Sequence, residues 1–279
     1  MRKPFLFLAI LQECYETVSM VIGMRLHFQV SGEGFLLILL HGFLGSLDNW
    51  RAVSKRLEGR YKVYSLDLRN HGSSPHSGVM NYAVMAQDLC EFLNEHRLPS
   101  AFVLGHSMGG KVAMQFATDF PNRVEKLIVV DITPKEYKPI HRPILNALLA
   151  LDLKTYKSFG EVDTALAAEV PEVPVRQFLL KNLTRGKDGR LGWRIHLEAI
   201  ARNYDDLTMA ISPQRKFDHP VCFIRGGRSN YIEESDVPMI REAFPQAEIK
   251  TIVNAGHWVH VDASEEFLKV VTEFLKTGD

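Results

Sequence analysis

Apolar and polar positions along the chain alternate between short strand-like runs and longer helical stretches. Residues 24–30 alternate as an edge strand does. Phe35 to Leu40 is unbroken apolar sequence, as expected of a strand buried on both faces. Residues 48–57 predict a helix, and Tyr61 to Leu68 a strand. A helix over 82–96 follows, with Val84, Met85, Leu89, Phe92 and Leu93 at helical spacing. Ala101 to Gly105 reads as a short buried strand, 109–119 as a helix and Leu127 to Val130 as a strand. The rhythm then breaks. Between 135 and 215 helical segments are punctuated by Pro139, Pro143, Pro171, Pro174 and Pro213, with few buried strands. Val221 to Ile224 restores the strand pattern, followed by a helix over 235–244, a strand over 248–253 and a closing helix over 263–276.

This β/α alternation predicts an α/β fold: a mostly parallel central sheet flanked by helices. The interruption reads as an inserted helical lid, placed where insertions shape ligand sites. The expected organisation is a core of 24–134 and 216–279, a lid over 135–215, and an N-terminal extension over 1–23 outside the fold. The apolar run Phe5 to Leu11 behind Arg2 and Lys3 loosely resembles a signal peptide. It is too short to span a bilayer, and no small-residue cleavage pattern follows it.

Composition changes this picture little. Of 279 residues, 46% are hydrophobic and 24% charged, which suits a globular enzyme. Lys and Arg number 33, as do Asp and Glu, so no net basic charge points to nucleic acid or a membrane surface as partner. Cys14, Cys90 and Cys222 are too scattered for a disulfide framework or a metal site. Reduced thiols make the cytoplasm the expected compartment, and no cofactor is implied. The number of subunits stays open.

The chemistry concentrates at Gly105-His106-Ser107-Met108-Gly109, a G-x-S-x-G pattern between a strand and a helix. A serine at the apex of such a turn is lifted above the sheet. Glycines two places to either side remove side chains that would collide across it. The Met108 N–H, at the helix start, then faces a developing oxyanion, and a second N–H comes from Phe43 in His41-Gly42-Phe43-Leu44-Gly45. His41 itself shapes that loop. In this arrangement the acid and then the histidine follow the serine in the chain. His257, in Asn254-Ala255-Gly256-His257-Trp258, is the expected base, with His260 its competitor. Asp67, Arg69 and His71 read as structural groups.

His41-Gly42, Asp67 to Ser73, Gly105 to Gly110 and Gly256-His257-Trp258 together resemble motifs of the α/β-hydrolase superfamily, from about residue 24 to 276 with the lid excluded. That resemblance implies a serine hydrolase. It also implies an acid after the strand that follows the lid, yet Ser229 and Asn230 stand in that place. Asp131, in Val130-Asp131-Ile132-Thr133-Pro134, ends the strand next after the elbow strand and is the expected acid. Glu233, Glu234 and Asp236 are the alternatives. Some lipases carry the acid at this earlier place. So does a branch of small bacterial esterases that the chain resembles through His41 to Ser46, Gly105 to Lys111, Asp131 to Pro134 and Arg225 to Gly227, motifs shared with related mitochondrial hydrolases.

The resemblance implies hydrolysis of short- to medium-chain acyl esters through an acyl-enzyme, with a small acyl ester or thioester as substrate. Trp193 and Arg194 in the lid, and His106 beside the serine, are candidate substrate contacts. Alternatives on the same fold are an acyl-CoA thioesterase, a carbon–carbon bond hydrolase or lyase, and a silent ligand-binding protein. Epoxide hydrolases and haloalkane dehalogenases need an aspartate where Ser107 stands.

Overall fold

A computed structural model describes residues 23–276. The extension expected over 1–23, apart from Gly23, and Cys14 within it lie outside the described residues. The sheet begins with β1 (Phe28–Ser31), β2 (Phe35–Leu40), β3 (Tyr61–Leu66), β4 (Ala101–His106) and β5 (Val124–Val130). Between them run α1 (Arg51–Leu57), α2 (Tyr82–Glu95) and α3 (Met108–Asp119). Five helices follow: α4 (Arg142–Ala150), α5 (Phe159–Leu166), α6 (Val173–Leu180), α7 (Leu197–Arg202) and α8 (Tyr204–Thr208). Between α6 and α7 sits a hairpin of β6 (Leu183–Arg185) and β7 (Leu191–Trp193). The chain then returns to the sheet as β8 (Val221–Gly226), α9 (Val237–Ala243) and β9 (Ala247–Ile252), and closes with α10 (Val259–Asp262) and α11 (Ser264–Leu275).

Seven strands form one sheet in the order β1-β3-β2-β4-β5-β8-β9. Among the described residues of this sheet, the edge strand β1 alone runs antiparallel, pairing Phe28 with Leu66 through Ser31 with Val63. Every other neighbouring pair is parallel.

Alternation along the central strands sends side chains into two cores. Ile38, Leu40, Val103, Leu127 and Val129 pack with Met85, Leu89 and Phe92 of α2 and Val112 and Phe116 of α3. Leu37, Leu39, Phe102, Leu104, Ile128 and Val130 face the other way, onto Val53 and Leu57 of α1 and Phe267 and Val271 of α11. Both faces are thus buried, and this accounts for the unbroken apolar runs. The same enclosure leaves Cys90 and Cys222 as buried free thiols, with Cys222 pushed up to about 12 chiefly by burial. No helix among the described residues is long and apolar enough to cross a membrane.

Most elements lie within a few residues of the sequence pattern. The exceptions are short. The strands of the β6–β7 hairpin span three residues each, too few for a period to register. The predicted closing helix over 263–276 is α11; the short helix α10 before it was not predicted, and Ala263, whose backbone leaves helical geometry at φ −142°, separates the two.

Candidate active site

The parallel register sets the site. His106 of β4 pairs with Val130 of β5, so Ser107 and Asp131 are the next residues off two adjoining strand ends. The ladder continues past both: the Ser107 N–H donates to Val130 O at 3.0 Å and the Asp131 N–H to Ile224 O at 2.9 Å. Both residues turn sharply, with φ of 52° at Ser107 and 51° at Asp131. Non-glycine residues rarely occupy this left-handed region, and they hold it where the surroundings over-determine them. Around Ser107 the crowding is plain. A Cβ on Gly105 would lie 2.2 Å from Gly109 O, and one on Gly109 would lie 2.5 Å from both Leu40 O and His41 O.

His257, in the loop between β9 and α10, bridges the two. Its Nε2 is 3.0 Å from Ser107 Oγ, and its Nδ1 is 2.8 Å from Asp131 Oδ2. A carboxylate only accepts, so Nδ1 carries the proton and Nε2 is left to accept from the serine hydroxyl. Asp131 is wholly buried. Its Oδ1 accepts from Gly226 N at 2.9 Å, and its Oδ2 also accepts from the Ser229 hydroxyl. Ser229 thus occupies the place where the resemblance implied an acid, and it donates to Asp131. Tyr231 stacks flat on the His257 ring, centroids 3.9 Å apart and planes 17° apart. Burial raises its phenol to about 12, so it stacks as a neutral ring.

The other sequence candidates are accounted for. His260 is buried against Trp50, ring centroids 4.5 Å apart, and is lowered to about 4 by burial and then by neighbouring His257. Asp236 pairs with Lys135 at 2.7 Å and Glu234 with Arg225 at 3.3 Å; neither these nor Glu233 bonds His257. Asp67 accepts from the Leu47 and Ser73 N–H groups, both at 2.8 Å, and the Arg69 guanidinium forks onto Asp88, consistent with structural duty.

Behind the serine, the loop 41–45 is braced from several sides. His41 donates from Nδ1 to Gly42 O at 2.8 Å and accepts at Nε2 from Leu68 N at 3.0 Å. Asn182, from the insertion, donates to Leu44 O at 2.7 Å. The Phe43 and Met108 N–H groups donate to no protein acceptor among the described residues, and Met108 opens α3 where the helix dipole favours negative charge.

Two cavities meet at Ser107. One, of about 390 Å³, runs between Tyr82, Lys111, Tyr137, Tyr204 and Tyr231. The other, of about 380 Å³, is walled by Trp50, Ile144, Phe178, His257 and Trp258. Phe43, Ser107 and His141 line both. The expected contacts Trp193 and Arg194 line neither. Trp193 pairs with Leu183 in the hairpin, and Arg194 donates from its backbone to Asn182 O and from Nη2 to Lys181 O. The hairpin holds both residues to its own strands. His106 borders the second cavity, and its Nε2 donates to the His257 carbonyl at 2.9 Å. Sequence reasoning missed His141, Tyr82, Tyr137 and Tyr231. None stands in a motif, and tertiary packing alone gathers them.

The alpha/beta hydrolase fold family matches over residues 36–264. An sn-1-specific diacylglycerol lipase of Xenopus laevis is 38% identical over 251 residues, covering 87% of this chain and 80% of its own. Esterase YbfF of Escherichia coli is 33% identical, covering 86% of this chain and 92% of its own. Among solved structures, a marine microorganism esterase superposes with a TM-score of 0.89 at 40% identity, covering 91% of this chain and all of that one, 100%.

Proposed function

The chain belongs to the α/β-hydrolase family and is a carboxylic ester hydrolase, and on that premise we propose that Ser107, His257 and Asp131 are its triad and that it cleaves short- to medium-chain acyl esters. The observation that carries the reading is the unbroken relay from Ser107 Oγ to His257 Nε2 at 3.0 Å and from His257 Nδ1 to Asp131 at 2.8 Å. In the proposed reaction the serine oxygen attacks the ester carbonyl while His257 Nε2 takes its proton. The carbonyl oxygen becomes an oxyanion between the Phe43 and Met108 N–H groups; removal of one such donor costs about 3–4 kcal/mol of barrier. The C–O bond breaks as His257 returns the proton to the leaving oxygen. Water then enters by the same route and releases the acid. Asp131 holds the tautomer and stabilises the imidazolium without taking the proton.

Residues 135–215 act as the lid in this reading: His141, Phe178, Tyr204 and Leu207 come from it and form cavity walls. Cavities of about 390 and 380 Å³ fit small ester halves rather than long lipid chains. A fluorophosphonate probe should label the protein and fail on Ser107→Ala. Turnover of p-nitrophenyl esters from acetyl to dodecanoyl should peak at short or medium length, with the matching acyl thioesters run beside them. A labelled Ser107→Ala, or a flat chain-length profile, would overturn the assignment.

A further inference from the structure

Lys111 is a lysine buried to 1% exposure in the wall of the first cavity. It lies one turn into α3 from Ser107, its N–H donating to Ser107 O at 3.1 Å, and helical side chains lean back toward the N-terminus. Its ammonium donates to Met209 O at 2.5 Å and sits 5.3 Å from the Tyr82 ring centre and 5.0 Å from that of Tyr137. Carbonyl dipoles and ring faces soften the burial of a cation. Among the described residues, however, no carboxylate pairs with it. A buried cation without a countercharge is costly unless one arrives with a ligand.

The geometry at Ser107 tells which half of an ester would meet it. His257 must reach the leaving oxygen, and His257 lines the second cavity but not the first. Met108, whose N–H faces the carbonyl oxygen, lines the first but not the second. The acyl half therefore points into the first cavity. We propose that Lys111 pairs there with a carboxylate at the far end of the acyl chain, so that half-esters of dicarboxylic acids are the preferred substrate class. This rests on the ester-hydrolase reading of the same site.

The amine titrates in a useful range. Burial lowers it to about 7, against a weaker opposing pull from Glu136. The groups around it are the Thr208 and Met209 carbonyls after α8, the Tyr82 phenol of α2, and Glu136, Tyr137 and Lys135 after β5. Burial raises both phenols, so they stay neutral, and Lys135 is paired with Asp236. Above about pH 7 the free enzyme thus loses the charge that would attract a carboxylate, which is itself ionised well below that.

The test compares kcat/KM for p-nitrophenyl hydrogen adipate and neutral p-nitrophenyl hexanoate, a measure that reports the free enzyme. The adipate-to-hexanoate ratio should favour adipate by about tenfold or more at pH 6.5 and fall as pH passes about 7. Lys111→Met should collapse the ratio by about tenfold. A wild-type ratio near one, or a ratio that Lys111→Met leaves unchanged because both esters fall together, would overturn the proposal. Calorimetry on Ser107→Ala with monomethyl adipate reads the pairing without turnover, and adding Lys111→Met should weaken binding about tenfold. If neither ester turned over, the hydrolase reading would fail, and binding equal in the two variants would separately sink the carboxylate site.

Discussion

Asp131→Asn is the sharpest perturbation of the site. Three donors converge on the carboxylate: Gly226 N at 2.9 Å, His257 Nδ1 at 2.8 Å and the Ser229 hydroxyl. An amide offers one accepting oxygen and two N–H donors in the same volume. If its oxygen faces Gly226, its NH₂ faces His257 and forces the tautomer with the proton on Nε2. That tautomer presents a donor to Ser107 and cannot take its proton. By the analogy of serine triads in general, kcat should fall about 10⁴-fold, or roughly 5 kcal/mol of barrier. The fold should survive with a cost of about 1–3 kcal/mol for the mismatched buried donors. The assay is p-nitrophenyl butyrate turnover alongside a melting curve. Turnover within tenfold of wild type, in a protein that still melts cooperatively, would move the acid to Glu233, Glu234 or Asp236. A second variant sharpens the argument. Ser229 already touches the oxygen that faces His257, so Asp131→Asn with Ser229→Asp should regain about one decade or more of kcat.

Two further predictions concern the frame around the serine. Gly109→Ala places a Cβ 2.5 Å from the Leu40 and His41 carbonyls, which must move and carry the Phe43 N–H with them. It should cost about 10²-fold or more in kcat and about 1–3 kcal/mol of stability; steady-state turnover within threefold of wild type would refute it. On acidification the buried histidines act together. His41, His71, His106, His141 and His260 are all lowered, chiefly by burial, His71 to about 3 and His141 and His260 to about 4. Their folded values lie below that of an unfolded histidine, so the unfolded chain binds the extra protons. Stability is therefore full above about pH 6.5 and falls below it, by up to about 1.4 kcal/mol per pH unit per histidine, until the folded values are passed. Urea midpoints that stay level from about pH 7 to 5 would contradict this.

The order of strands and the elbow were legible because each rests on local pattern. Apolar runs such as Leu37 to Leu40 report burial on two faces, and Gly105 and Gly109 report a turn no larger residue can make. The choice of Asp131 needed one longer step: Ser229 and Asn230 stand where an acid was due, while Val130-Asp131 closes the neighbouring strand. The register that sets Asp131 beside Ser107 is a property of the assembled sheet. Elsewhere the sequence was silent. Tyr231 stacks on a histidine from another loop, and His141 reaches both cavities from the insertion, contacts with no local signature. Trp193 and Arg194 are a different case. Their neighbouring positions suggested a binding pair, but a short hairpin with its own partners absorbs both.

The site is also a knot of distant chain segments. The His257 contacts reach back 126 positions to Asp131 and 150 to Ser107, and His106 closes a loop of 151 onto the same residue. None can form until β4, β5 and β8 stand side by side and the last loop folds over them. Such contacts carry a large loop-closure cost and form late in a chain of this topology. A partly folded chain can therefore hold helices and much of its hydrophobic collapse while lacking the proposed route for the serine proton. During refolding, ester cleavage should return after circular dichroism and tryptophan fluorescence, and its recovery marks completion of the whole sheet.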